Sequence, residues 1–160
     1  MKVYLAGPLF TMAERWWNAK LANALNHRGL DVFLPQRDCE DFVRSPEGKG
    51  CLSVEEAIYL GCRRGVDSSD FVLANYDGSD ADAGTAWEAG YAFGQEKAVF
   101  WYRTDFRTSA DSKKGVNLML LHSGTKLDLG EVGPNSVIFP ELVAEALLDT
   151  IRAGFGQAVS

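Results

Sequence analysis

The segment "DFVLANY" (Asp70–Tyr76), followed closely by "DADAGTAWEAGYAFG" (Asp80–Gly94), decides the fold. The first part is almost continuously apolar, which is typical of a strand that is buried on both faces of a parallel sheet. The second part predicts an acidic loop and then a helix from about Thr85 to Gln95. A buried strand that leads through a loop into a helix is the repeating unit of an α/β fold.

The same alternation extends to both ends of the chain. Apolar runs bounded by turn residues predict further strands at Lys2–Ala6, Asp31–Pro35, Lys97–Tyr102 and Ser136–Phe139. Capping residues that precede an apolar helical period predict further helices from Thr11 to Gly29, from Ser53 to about Arg64 and from about Glu141 to Arg152. The run "NLMLL" (Asn117–Leu121) is ambiguous between helix and strand.

Two polar stretches, Gln36–Leu52 and Arg103–Gly115, are predicted as loops. A loop of the length of Gln36–Leu52 in a compact domain is usually functional, and it often acts as a lid.

Strands that alternate with helices imply a parallel sheet covered by helices on both faces. We therefore predict that residues 1–160 form one domain, a flavodoxin-like three-layer α/β sandwich. Its five-stranded, mainly parallel sheet has the strand order 2-1-3-4-5. Ligands of such folds bind beyond the carboxyl ends of the strands, where the strand order reverses between the first and third strands. This rule brings together three segments: the segment from Gly7 to Phe10, which includes Pro8; the loop after Pro35; and Asp77–Glu88.

The net charge of −6 gives the chain no basic surface for nucleic-acid phosphates or for an anionic membrane. No apolar run approaches the roughly 20 residues that a membrane span requires. The first ten residues, "MKVYLAGPLF", predict a strand rather than a signal peptide. These features predict neither a nucleic-acid partner nor a membrane partner.

The cysteines and histidines do not form a recognisable metal or catalytic motif. Cys39, Cys51 and Cys62 contain no C-x-x-C pair, so they predict free thiols in a reducing compartment, the cytoplasm. His27 and His122 stand far apart in sequence, each without an evident partner. Neither G-x-G-x-x-G nor a phosphate-binding G-x-x-x-x-G-K-S/T occurs, and no cofactor or metal is predicted.

A cluster of carboxylates remains as the candidate chemistry of the predicted crevice: Asp77, Asp80, Asp82 and Glu88. We expect Glu88 to lie in the first helical turn, where the positive end of the helix keeps a carboxylate ionised. An ionised carboxylate directed at a sugar carbon is a suitable nucleophile for glycosyl transfer. The alternative is structural, because Thr85 and Glu88 have the spacing of a capping box. Spacing does not decide between these two roles.

Three segments together resemble the nucleoside 2-deoxyribosyltransferase family: "VYLAGPLF" at the start, "SDFVLANYDGSDADAGTAWEAGYAFG" in the middle and "VNLML" later. They stand in the order of the family and cover most of Val3–Leu121. The middle segment is the specific one, because an apolar strand that ends in acids is followed by D-x-G-T-x-x-E-x-G-Y-A.

The resemblance implies an enzyme that moves 2-deoxyribose between nucleobases by double displacement, in nucleoside salvage. Glu88 would attack C1′ of a deoxynucleoside, and a second base would take the sugar from the covalent intermediate. Tyr4 would orient Glu88, and Asp82 would bind the sugar hydroxyls. A neighbouring subunit would contribute Asn117 and Met119, so the resemblance implies a homo-oligomer with shared active sites. The other expected substrate-binding residues are Gly7, Pro8, Phe10, Gln36, as a hydrogen-bonding partner of the base, and Gly84.

One departure from the family concerns the base. An ungapped reading back from Glu88 places Cys62 where the family often has Asp or Asn, and Asp67 is a nearby candidate if the reading is shifted by a gap. The proton donor to the leaving base, and the choice between purines and pyrimidines, therefore stay open.

Two other functions compete with transfer. A related enzyme would hydrolyse deoxynucleoside 5′-monophosphates, but the first helix offers only Thr11 and Arg15 as a phosphate anchor. A non-catalytic module that senses nucleosides could also use this fold.

Overall fold

The structure, a computed structural model, describes residues 1–107 and 115–156, without the side chains of residues 155 and 156. The strands are β1 (Lys2–Ala6), β2 (Asp31–Phe33), β3 (Phe71–Asn75), β4 (Ala98–Tyr102) and β5 (Thr125–Lys126). The helices are α1 (Met12–Asn26), α2 (Pro35–Arg44), α3 (Val54–Ser68), α4 (Ala83–Gly94), α5 (Leu118–His122) and α6 (Pro140–Gly156). None of the helices within these ranges is long and apolar enough to cross a membrane.

The five strands form one sheet in the order β2-β1-β3-β4-β5, and every neighbouring pair is parallel. This confirms the predicted flavodoxin-like fold and its strand order. The order reverses between β1 and β3, which pair in register from Val3 opposite Phe71 to Ala6 opposite Ala74. The loops that leave β1 and β3 therefore start side by side, at the edge where ligands of such sheets bind.

Successive residues of β1 point to opposite faces of the sheet and so join two different cores. Val3 and Leu5 pack with α1 and α6, whereas Tyr4 and Ala6 pack with α3 and α4. The second core holds small helix residues, Ala89 and Ala92, that let α4 lie close to the sheet. Tyr4 thus faces the layer that carries Glu88.

The predicted loop Gln36–Leu52 is wrong over its first half, which is the helix α2. Pro35 opens this helix at a position where its missing N–H costs nothing. Asp38 accepts a hydrogen bond from the N–H of Leu34 at 2.6 Å, which caps the helix from inside its first turn. Half of the residues of α2 are charged, and such a polar composition is typical of a loop. A 3-10 turn, Gly48–Gly50, follows.

The predicted strand Ser136–Phe139 is also wrong, since the last strand is Thr125–Lys126. The N–H of Leu127 bonds to the carbonyl of Trp101 at 2.8 Å, so this earlier segment already occupies the free edge of β4. Ile138 instead packs its side chain against the core beside α6. The ambiguous run 117–121 is the short helix α5. Of the predicted loop Arg103–Gly115, residues 108–114 lie outside the described part of the chain.

A substitution at Gly65 of α3 tests how tightly this helix packs on the sheet. A Cβ added there would lie 2.5 Å from Cε1 of Phe33, which is too close for any contact. Alanine is favoured over glycine in a helix by about 1 kcal/mol, but overpacking of this kind costs roughly 1–3 kcal/mol. We expect Gly65→Ala to lower the free energy of unfolding by about 1 kcal/mol, measured by urea denaturation.

The matched control is Gly90→Ala in α4, where an added Cβ has no neighbour within 4 Å. This variant should gain up to about 1 kcal/mol of stability. Equal gains in both variants would contradict close packing at Gly65.

Candidate active site

A hydrogen bond between Tyr4 and Glu88 is the centre of the site. The Tyr4 hydroxyl donates to Oε1 of Glu88 at 2.6 Å. Tyr4 is fully buried in the middle of β1, and the ring of Phe33 stacks on it with centroids 5.2 Å apart. Because the strand and the stacked ring hold the hydroxyl in place, this bond fixes the position of the carboxylate.

Asp82, not Thr85, caps helix α4. Oδ2 of Asp82 accepts hydrogen bonds from the N–H of Thr85 at 2.8 Å and from its hydroxyl at 3.0 Å. The proposed capping box of Thr85 and Glu88 is therefore wrong, because Thr85 already lies inside the helix. Glu88 lies in the second turn rather than the first, and its carboxylate faces Tyr4 instead of the helix end.

Burial, rather than the helix end, dominates the ionisation of Glu88. Removal of the carboxyl from water, with smaller contributions from negative charge on Cys62 and Asp82, raises its pKa to about 8, although the hydrogen bond from Tyr4 opposes this. Glu88 lies past the first turn, and burial shifts its pKa upward, so the expectation that the helix end keeps it ionised is wrong.

Tyr4 has the opposite role, that of a fixed donor. Burial first, and then the neighbouring charge of Glu88, raise the pKa of the Tyr4 hydroxyl far above its ordinary value. The hydroxyl therefore stays protonated over the whole working range of pH. It can donate to Glu88 but cannot serve as a base.

Cys62 lies beside this pair, and Asp67 does not. The thiol of Cys62 interacts with both Tyr4 and Glu88, and its sulfur lies 3.2 Å from that of Cys39. Asp67 is exposed and accepts hydrogen bonds from the Tyr91 hydroxyl at 2.9 Å and the Gln95 amide at 2.8 Å. Of the two residues considered for this position, only Cys62 is at the site.

An acidic cavity of about 550 Å³ opens at the carboxyl ends of β1 and β3. Pro8, Phe10 and Asp82 line it, as the switch-point rule predicts. Asp77 also lines it but is structural, since it accepts from the Thr104 hydroxyl at 2.6 Å and from the Asp105 N–H at 2.8 Å. Asp77 thereby ties together the loops that follow β3 and β4.

The arginine that lines this cavity, Arg107, already forms an ion pair. Arg107 is bound to Asp105 at 2.5 Å, and their hydrogen bond holds the pKa of Asp105 well below its usual range. Asp80, which also lines the cavity, is exposed. The cavity is therefore suited to hydroxyl groups rather than to anions.

A second cavity, of about 300 Å³, lies between α1, α2 and α3. Its walls include Leu9, Gln36, Cys39 and Cys62. The amide of Gln36 is partly used by the fold, because it donates to the carbonyl of Arg15 at 2.9 Å. Gln36 thus lines a cavity next to Cys62, while its side-chain nitrogen holds the start of α1.

The residues of the first loop differ in exposure. The carbonyl of Pro8 accepts a hydrogen bond from the buried amide of Asn18 at 2.9 Å, which holds this loop against α1. Gly7 lies close to Asn75, whose Cβ would be 3.4 Å from an added Cβ. Phe10 is 76% exposed at the rim of the acidic cavity. Gly84 is exposed beside the carboxylate of Asp82.

Asn117 and Met119 do not join the site within one chain. Asn117 is exposed and caps α5 by accepting from the N–H of Met119 at 2.9 Å. Met119 is 80% exposed, so core packing, the ordinary role for such a run, does not apply to it.

Sequence reasoning missed Phe33, Asn18 and Cys39. Phe33 lies in a strand and carries no signal that it stacks on Tyr4. Asn18 could have been noticed as an amide on the apolar face of a predicted helix. Cys39 lies on α2, a helix that was not predicted, so nothing placed it near Cys62.

Comparisons with known proteins identify the family and the fold. The family described as nucleoside 2-deoxyribosyltransferase matches residues 3–119. A 2-deoxyribosyltransferase from the psychrotolerant bacterium Bacillus psychrosaccharolyticus is similar in structure, with 24% identity and a TM-score of 0.62 over 78% of this chain and 82% of that one. A conserved protein from Enterococcus faecalis V583 has 24% identity and a TM-score of 0.66 over 94% of this chain and 98% of that one.

A CMP N-glycosidase from Clostridium botulinum shares the fold at 15% identity, with a TM-score of 0.53 over 93% of this chain and 99% of that one. No curated protein matches the chain. At these identities the solved structures establish the fold alone. The family match spans well over half of the 160 residues, and the chain therefore belongs to the nucleoside 2-deoxyribosyltransferase family.

Proposed function

We propose that this chain, acting as one domain, transfers the 2-deoxyribosyl group of a deoxynucleoside to a second nucleobase. The observation that carries the proposal is the 2.6 Å hydrogen bond from the buried Tyr4 to Glu88. A carboxylate that a rigid partner holds in place, without a capping duty, is what a nucleophile requires. Membership of the family supports this reaction over other uses of the fold.

The transfer takes two displacements at C1′. In the first, an oxygen of ionised Glu88 bonds to C1′ as the bond to the base nitrogen breaks; the base leaves with the bonding electron pair and takes up a proton, and a deoxyribosyl ester remains on Glu88. In the second, a nitrogen of the incoming base loses its proton and bonds to C1′ while the ester bond breaks, which returns the carboxylate. Two inversions give net retention. Both transition states carry positive charge on the sugar, which the adjacent carboxylate stabilises in a site removed from water.

The remaining predicted residues divide between sugar and base. The cap of α4 uses Oδ2 of Asp82, so Oδ1 is the oxygen that would accept from a sugar hydroxyl. Phe10 would cover the sugar or base from the rim of the acidic cavity. Gln36 would present its carbonyl oxygen to the base, since its nitrogen is bound to Arg15.

We also propose that the site is completed by a second copy of the chain. The high exposure of Asn117 and Met119 supports this, because both residues lie on the surface where a second copy could contact them. An exposed methionine on a short helix is a typical contact residue of an interface. The three thiols, none in a disulfide, fit a reducing cytoplasmic setting.

The start of α1 argues for an unphosphorylated substrate. Helix N-termini commonly bind phosphate, but here Oε2 of Glu14 accepts from the N–H groups of Phe10 at 2.9 Å and Thr11 at 2.7 Å. Arg15, the only cation of this segment, is near Glu40 at 3.9 Å. A 5′-phosphate would meet a carboxylate at the place where it needs donors.

The deciding experiment is base exchange, run with each of four deoxynucleosides and a second free base. Formation of the exchanged nucleoside would support transfer, and the set of accepted bases would define the specificity. Free deoxyribose phosphate from a deoxynucleotide would show hydrolysis instead. Binding without turnover of any substrate would show a sensing module.

Glu88→Gln should remove base exchange while leaving the fold intact. The amide oxygen can still accept the hydrogen bond of Tyr4, but an amide cannot form the ester, so we expect exchange to fall by at least about three orders of magnitude. The matched control is Glu141→Gln on α6, at the other face of the sheet, which should keep full activity. A Glu88→Gln protein with most of its activity would exclude Glu88 as the nucleophile.

The pH dependence should report the ionisation of Glu88. Only the carboxylate attacks C1′, and the pKa of Glu88 is raised to about 8, so kcat/KM should increase with pH through about 8 and then level off. Tyr4→Phe removes the hydrogen bond that lowers this pKa, and the rise should move to higher pH. An unchanged profile in Tyr4→Phe would contradict the coupling of the two residues.

Mixing two inactive variants tests the shared site. Asn117→Ala and Glu88→Ala subunits, allowed to exchange, should regain part of the activity, because one interface then combines an intact Glu88 with an intact Asn117. A mixture of Glu88→Ala with Glu88→Gln cannot build an intact site and is the control. No recovery, with subunit exchange verified, would mean that Asn117 acts within its own chain or not at all.

A further inference from the structure

Two cysteine sulfurs meet in the wall between α2 and α3. Sγ of Cys39 lies 3.2 Å from Sγ of Cys62, whereas a disulfide bond is about 2 Å long. The sulfurs would have to approach by about 1 Å to bond. Gly61 of α3 lies against this part of α2, where an added Cβ would be 3.3 Å from Cδ1 of Phe42 and 3.4 Å from Sγ of Cys39.

The pair is accessible to a small oxidant. Cys39 and Cys62 both line the cavity of about 300 Å³ beside Gln36. A water molecule takes up about 30 Å³ of liquid volume, so this cavity admits a peroxide, which is little larger. Cys51 is half-buried and outside this cavity, with its thiol directed at the carbonyl of Glu47 at 3.7 Å.

The two thiols differ in reactivity. The hydrogen bond with Cys39 lowers the pKa of Cys62 to about 7, so Cys62 is the sulfur that becomes a thiolate near neutral pH. The same hydrogen bond and burial raise the pKa of Cys39, which stays a thiol. An attacking thiolate beside a second thiol is the arrangement of a sulfur pair that closes after oxidation.

We propose that Cys39 and Cys62 are an oxidative modification site, which hydrogen peroxide converts to a disulfide in the wall of the cavity beside Gln36. The Cys62 sulfur attacks one peroxide oxygen and the O–O bond breaks, which gives a sulfenic acid and one water. The Cys39 sulfur then attacks Cys62, the S–O bond breaks, and the hydroxyl leaves with the Cys39 proton as a second water. Two electrons pass from the two thiols to the peroxide.

The modification reaches the Tyr4–Glu88 pair through Cys62. The groups that face Glu88 are Tyr4 from β1, Cys62 from α3 and Asp82 from the start of α4, while Cys39 of α2 lies behind Cys62. Cys62 raises the pKa of Glu88 both by its charge and by its hydrogen bond. A disulfide carries no negative charge and is a weak acceptor for the protonated carboxyl, so oxidation removes both contributions, lowers the pKa of Glu88 and favours its carboxylate.

Peptide mapping tests the site without any need for turnover. Trypsin leaves Cys39 in the peptide 38–44 but leaves Cys51 and Cys62 together in the peptide 50–63. The test therefore uses the Cys51→Ser chain, treated with hydrogen peroxide and digested without reductant. We expect the two peptides to be joined with the loss of two hydrogens, and dithiothreitol to separate them. Unjoined peptides after exposure that oxidises an unhindered thiol would overturn the proposal.

Cys39→Ser separates the two steps. Without the second thiol, Cys62 should stop at the sulfenic acid, which dimedone traps on the peptide 50–63. Trapping on Cys51 alone, absent when Cys51→Ser is added, would show that Cys62 is not the reactive sulfur and would overturn the proposal.

A carbon-13 NMR titration of the Glu88 carboxyl tests the consequence for the site. The resonance is assigned by its absence in Glu88→Gln, and the titration compares the reduced and oxidised forms of the Cys51→Ser chain. We expect the midpoint of Glu88 to move to lower pH on oxidation and to return on reduction. Identical midpoints in the two forms would overturn the link between the thiols and Glu88. The result is the same whether or not the protein exchanges bases.

Discussion

The rest of the candidate site depends on one interaction, the hydrogen bond between the hydroxyl of Tyr4 and the carboxyl of Glu88. Glu88 is held by the Tyr4 hydroxyl at 2.6 Å in surroundings that disfavour its charge. A carboxylate placed there is poorly solvated, which makes it reactive but also costly to ionise. The rest of the second core is arranged around this pair. Phe33 stacks on Tyr4, Gly65 makes room for Phe33, and small residues of α4 bring Glu88 to the sheet.

The division of labour between the two faces of the sheet follows from the alternation of β1. Val3 and Leu5 belong to a mainly apolar core under α1 and α6, in which Trp17 donates a hydrogen bond to the Tyr102 hydroxyl. Tyr4, one position along, faces the layer of α3 and α4, where polar and titratable groups are concentrated. The core under α1 and α6 can stabilise the fold, while the core under α3 and α4 holds a carboxyl whose pKa is raised by burial.

The sequence predicted the strand order, because local patterns identify alternating strands and helices and the order follows from that fold class. The capping box at Thr11, the cap at Ser53 and the apolar run of β3 are each encoded within a short segment. It failed where the outcome depends on distant partners. The charged residues of α2 hide the helical pattern of a segment that is held by its packing on α3. The strand β5 has only two residues, which is too short for a periodic pattern. The pKa of Glu88 and the amide bonds of Gln36 depend on burial and on neighbours that no local pattern specifies.

Both margins of the sheet are short, since β2 has three residues and β5 has two. A strand at a margin exposes unpaired backbone groups, and a long one invites another chain to extend the sheet by the same pairing. Margins this brief offer almost no template for that kind of growth. The contact between copies that the proposed shared site requires would therefore use side chains on helices and loops. Such contacts allow a finite, closed assembly and discourage an open-ended fibre.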